Sequence, residues 1–150
     1  MGLVRTSIDI ACPPQKVWEF VMNPDNTDQW VTIHRAIKGH SSGAVRRGYE
    51  MHQRLNLRGV NFDVQWTLTE LDPPWYAKWE GRGPARSTAM IVERLTDIDS
   101  GSATHFEYQN EFKAPFGPLG AAASRALTGG VPQREADATL SRLKHILESG

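Results

Sequence analysis

The sequence predicts an α+β fold: an antiparallel sheet of about seven strands laid against a long C-terminal helix, with two short helices after the first strand. Three observations carry this. From Thr104 to Phe112, Phe106, Tyr108 and Phe112 share one parity while His105, Glu107, Gln109 and Glu111 take the other, the pattern of a strand with one buried face. Leu140, Leu143, Ile146 and Leu147 recur at helical spacing near the C-terminus. Between residues 31 and 113 the chain reads as short alternating runs, broken at Ser41-Ser42-Gly43, Arg58-Gly59, Asp72-Pro73-Pro74, Gly81 to Pro84 and Asp99-Ser100-Gly101.

The first strand is expected over Leu3 to Ala11, with Val4, Ile8 and Ile10 on one side. Pro14 then opens a helix bearing Val17, Trp18, Phe20 and Val21, because the N–H that proline lacks would be unpaired there anyway. A second short helix follows from Pro24 to Trp30, capped by Asn23 or Asp25 and anchored by Trp30. In the third strand Tyr49, Met51, Gln53, Leu55 and Leu57 share a face, and in the fourth Val60, Phe62, Val64, Trp66 and Leu68 do so. The fifth turns Ala77 and Trp79 inward. The sixth turns Ala89, Ile91 and Leu95 inward with Glu93 among them, although Met90 and Val92 make the opposite parity nearly as good. Gly129-Gly130-Val131-Pro132 separates the small-residue run Ala121 to Leu127 from the leucine stripe, which predicts a kinked or two-piece helix.

Composition narrows function before any motif does. The 150 residues, 39% of them hydrophobic, suit one domain spanning residues 1–150 with a real core. Seventeen basic and seventeen acidic side chains cancel, so no global field draws the chain to nucleic acid or to an anionic membrane. Arg46, Arg47, Arg54, Arg58, Arg82 and Arg86 gather near strand turns, where arginines on an antiparallel sheet solvate it and protect its edges. The lone Cys12 excludes an internal disulfide, and the N-terminus lacks the basic-then-apolar run of a signal peptide. A cytoplasmic protein without membrane insertion is expected.

No metal or cofactor is expected either. His34 and His40 lie about 20 Å apart along a strand, and His52 and His105 fall on outward faces. No Gly-x-Ser-x-Gly turn marks a nucleophile, and Gly81 to Pro84 lacks the spacing of a phosphate loop. The chemistry concentrates on the inward faces instead. Tyr49, Phe62, Trp66, Trp79, Phe106 and Tyr108 would line a pocket with Ile91, and Gln53, Glu93 and Asn110 lie on the same faces. Each aromatic residue also fits plain core packing. The polar three carry more information, because an unpartnered buried polar group is costly. Glu93, if desolvated, would have a raised pKa suited to acid or base work; its alternative is a solvated side chain on a strand of the other parity.

The order of elements resembles the START-like superfamily, also called SRPBCC or Bet v 1-like. Pro13 to Trp18, Trp30 closing the second helix, Trp66 ahead of Glu70 to Pro74, and the terminal Leu140 to Glu148 are similar to its polyketide cyclase/dehydrase group. Trp30 to Arg35 together with Phe116 to Gly120 resembles small stand-alone actinobacterial members, some of them assigned to toxin–antitoxin pairs. The resemblance implies a helix-grip fold, in which a curved sheet wraps the C-terminal helix and leaves a cavity between them. It places His34 at the cavity mouth, where a histidine would titrate near neutral pH, although a surface histidine fits as well. Trp30 joins the ligand-binding set. If the helix grips the sheet mainly through Leu140, Leu143 and Leu147, the small residues Ala121 to Ala126 leave space against Phe106, Tyr108 and Asn110, which makes the turn from Phe116 to Leu119 a gate. Three functions fit: binding of a small apolar ligand, aromatic, polyketide-like or lipid-like; a polyketide cyclase or dehydratase using Glu93 and His34; or an interaction protein such as a toxin–antitoxin component with a protein partner.

Overall fold

The computed structural model describes residues 2–57, 59–113 and 131–149. Strand β1 (Gly2–Ile10) leads into helix α1 (Pro14–Val21), a single 3-10 turn (Pro24–Asn26) and helix α2 (Thr27–Trp30). Six strands follow: β2 (His34–His40), β3 (Glu50–Leu57), β4 (Val60–Asp72), β5 (Tyr76–Arg82), β6 (Thr88–Ile98) and β7 (Ala103–Lys113). Helix α3 (Val131–Ser149) closes the chain. The strands form one seven-stranded sheet in the order β1-β7-β6-β5-β4-β3-β2, with every neighbouring pair antiparallel. This is the helix-grip architecture.

Local chemistry explains the boundaries. Pro14 occupies the first turn of α1, with Pro13 extended before it and no side-chain cap. The expected second helix is split, because the Asn23 side chain accepts the Asp25 N–H at 3.0 Å and winds the first turn tightly before α2 begins. In β4, Phe62, Val64, Trp66 and Leu68 are all buried at a spacing of two, as the alternation required. In β6 the inward set is Ala89, Ile91, Glu93 and Leu95. Val92 is buried too, on the opposite face, between its cross-strand neighbours Lys78 and Gln109. That double burial is why the parity of β6 reads ambiguously in the sequence.

Helix α3 is held on two sides. Leu140, Leu143 and Leu147 are buried in the same core as Phe106, Ile10 and Val17, and each such side chain contributes roughly 1.5–3 kcal/mol through burial. Polar ties then fix α3 along β1: Thr6 donates to Asp137 at 2.6 Å, and Lys144 donates to the Asp9 carbonyl at 2.6 Å. The Ala11 N–H donates to Glu148 at 2.8 Å. On the other side Thr32, just after α2, offers its N–H to Thr139 Oγ1 at 3.1 Å and its hydroxyl to Glu135. The run Ala121 to Leu127, the break at Gly129-Gly130 and the gate residues Phe116 and Leu119 lie outside the described residues. Among the described residues no helix is long and apolar enough to cross a membrane.

Candidate functional site

A cavity of about 130 Å³ lies between the inner face of the sheet, α2 and the first turns of α3. That is close to the size of an apolar protein cavity known to take up benzene, so it holds roughly one aromatic ring. Its wall brings together most of the residues expected from the sequence: Trp30, Gln53, Phe62, Trp66, Trp79, Ile91, Glu93, Tyr108 and Asn110. Among the described residues the wall includes no Lys, Arg or His.

Among the described residues Glu93 is the one strongly perturbed carboxyl. It is 4% exposed, and burial pushes its pKa up to about 8, against a smaller opposing effect of the hydrogen bond from the Trp79 indole. Tyr108 stands directly opposite Glu93 across β6 and β7. Burial raises its pKa, and the nearby Glu93 raises it further. At neutral pH this side of the cavity therefore carries no charge, and its carboxyl is a hydrogen-bond donor.

A second polar group lies across the cavity. The Trp66 Nε1–H donates to Gln53 Oε1 at 2.9 Å, so the other end of the Gln53 amide is its NH₂, which faces His34 Nδ1 at 2.8 Å. Nδ1 must then accept, and the proton of the neutral ring sits on Nε2. Burial lowers the His34 pKa, with Asp28 opposing and Arg35 adding to the effect, and this agrees with a ring held neutral by a donor at Nδ1.

Three of the expected site residues stand elsewhere. His34 touches the cavity only through Gln53, because the side chain lies behind Gln53 at the start of β2. Tyr49 is buried near α1, where its hydroxyl meets His40 Nδ1 at 2.8 Å and its ring packs edge-on to Trp79. Phe106 is fully buried beneath Trp30, with ring centroids 6.3 Å apart, and acts as core. Sequence reasoning missed Thr32, Glu135 and Thr139, which tie the wall to α3. The available signal was Thr139, a polar residue at 3% exposure within the apolar stripe of Ala136, Leu140 and Leu143.

The likeness to known proteins extends over the same span. An uncharacterized Mycobacterium tuberculosis protein, Rv1546, is 28% identical over 131 residues, covering 87% of this chain and 92% of the relative. A second protein of that organism, named Toxin Rv0910, is 22% identical over 127 residues, 85% of this chain and 88% of the relative. Among solved structures, the Zhui aromatase/cyclase from a Streptomyces species superposes with a TM-score of 0.76 at 14% identity, covering 97% of this chain and 93% of that one. A conserved protein from Geobacillus kaustophilus gives a TM-score of 0.71 at 18% identity, covering 99% and 96%. These structural likenesses speak to the fold alone. The model of the polyketide cyclase/dehydrase and lipid transport family matches residues 1–148, and the chain belongs to that family.

Proposed function

We propose that the protein binds a small apolar molecule, aromatic, polyketide-like or lipid-like, in the cavity between the sheet and α3. The observation that carries this reading is a hollow of one-ring size whose wall is mostly aromatic and aliphatic, with a few fixed polar groups and a Glu93 carboxyl whose pKa burial raises to about 8. The family description, which includes lipid transport, supports it. A ligand that binds only the folded state raises the melting temperature with concentration. Single-ring aromatic compounds should therefore raise it, and a panel of them that leaves it unmoved would sink the reading.

A second reading, a cyclase or dehydratase, is favoured by Glu93. A buried carboxyl with its pKa near 8 can hand a proton to a bound carbonyl and take one back at working pH, without any covalent intermediate. The fold shared with an aromatase/cyclase supports it. Turnover of a polyketide-like substrate that Glu93→Gln abolishes while ligand binding persists would favour catalysis over simple carriage. The relative named as a toxin keeps a protein partner in view, and co-purification of a specific partner with the full chain tests that.

A further inference from the structure

The floor of the cavity is the paired stretch of β6 and β7. Ala89, Ile91 and Glu93 are successive inward residues of β6, and across the register they face Phe112, Asn110 and Tyr108; all six are on the cavity wall. Leu95, the next inward residue of β6, pairs with Phe106 in the core. Glu93 thus stands where the floor meets the core. Its carboxyl receives the indole N–H of Trp79, a wall residue paired on β5 with Ile91, so the two side chains meet diagonally at the wall.

A carboxyl in this place serves a hydrocarbon ligand badly. Burial penalises its charged form, and a leucine of similar size would line an apolar pocket without that penalty. The balance reverses when a cation enters, because an opposite charge in contact favours the ionised carboxyl. An ionised carboxylate also accepts several hydrogen bonds, of which the Trp79 indole gives one. A second carboxyl, that of Glu135, belongs to the α3 side of the same wall and adds to the attraction for positive charge. Around them Trp66, Ile91 and Phe112 offer the surface that a carbon body needs.

We propose that the cavity takes a small organic amine, its ammonium group paired with Glu93 and its ring or alkyl body against the aromatic and aliphatic wall. This rests on the cavity-binding reading above and specifies it: the preferred ligand carries a basic nitrogen. In the empty site Glu93 holds a proton at neutral pH. On binding, that proton leaves to solvent and the ammonium group takes its place. The nitrogen keeps its own proton, because an alkylamine is a stronger base than the carboxylate.

Benzylamine and benzyl alcohol test this, because they share a shape and differ in an ammonium group against a hydroxyl. Both are titrated at neutral pH into protein carrying ¹³C-labelled glutamate, with the Glu93 side-chain carboxyl resonance assigned by its loss in Glu93→Gln. Benzylamine should move that resonance to the carboxylate position, and benzyl alcohol should not. Wild type should prefer benzylamine, and Glu93→Gln should cut that preference roughly tenfold or more, the worth of a charge-assisted hydrogen bond. Should Glu93→Gln fail to fold, the resonance is assigned as the carboxyl titrating at about 8, and the wild-type response decides. If benzyl alcohol binds and benzylamine does not, or if benzylamine binds and leaves Glu93 protonated, the amine is wrong and the cavity reading survives. If neither probe binds, both fall.

Discussion

Glu93 on β6 and Tyr108 on β7 stand directly opposite each other, and both are buried on the inner face of the sheet. Folding therefore places a carboxyl where its charged form is disfavoured by desolvation and its neighbour is an equally buried phenol.

The pH dependence of stability follows from that pair. Folding raises Glu93 from its ordinary value of 4.5 to about 8, so between those values the folded state keeps a proton that the unfolded chain loses. Stability then falls as pH rises through this window, by an amount on the order of a few kcal/mol. His34 acts in the opposite sense, because its lowered pKa makes stability grow as pH rises toward 6.5. The difference between wild type and Glu93→Gln isolates the carboxyl. Urea unfolding from pH 5 to 8 should show wild type losing stability relative to Glu93→Gln, and parallel curves would contradict a buried, protonated Glu93.

Gln53 joins two elements through one amide. Replacing it with leucine leaves the Trp66 N–H buried and unpartnered and removes the donor at His34 Nδ1. We expect a loss of about 1–3 kcal/mol by chemical denaturation. We also expect a rise in the His34 pKa, read by NMR titration, since the hydrogen bond favouring the neutral ring is gone. An unchanged His34 titration would mean that the ring is held in some other way.

Gly81 is buried on β5 opposite Trp66. A Cβ there would stand 2.6 Å from Val64 Cγ1 and 2.7 Å from the nearest Trp66 ring atom. Gly81→Ala should therefore cost about 1–3 kcal/mol by overpacking. Because Trp66 lines the cavity, it should also weaken ring-sized ligands. A variant as stable as wild type with unchanged affinity would show that Trp66 has room to move.

The fold was legible where a strand buries one face, as β4 and β5 do, so that parity alone aims the side chains; Phe62, Val64, Trp66 and Leu68 illustrate this. β6 resisted because Val92 is buried behind the sheet while Glu93 is buried in front. The site was legible where lining and parity coincide, as for Trp79 and Ile91. It was less so where parity cannot tell depth along the strand: Tyr49 and Phe106 face inward, but one lies beyond the cavity beside α1 and the other beneath Trp30. The Gln53–His34 bond was hidden because β2 shifts register against β3 between His34 and Ala36, and no local pattern announces that shift. The contacts of Thr32 with Glu135 and Thr139 span more than a hundred residues of sequence, beyond the reach of any periodicity.

The central claim is that an apolar molecule sits between sheet and helix, and its most direct test is where a bound probe makes contact. Toluene is titrated into isotope-labelled protein and its intermolecular nuclear Overhauser contacts are mapped. The account predicts saturable binding with contacts to Ile91, Trp66, Trp79 and Phe112, all on the cavity wall. Contacts confined to the exposed Leu3, Val60 or Trp75, or no saturable binding, would contradict it.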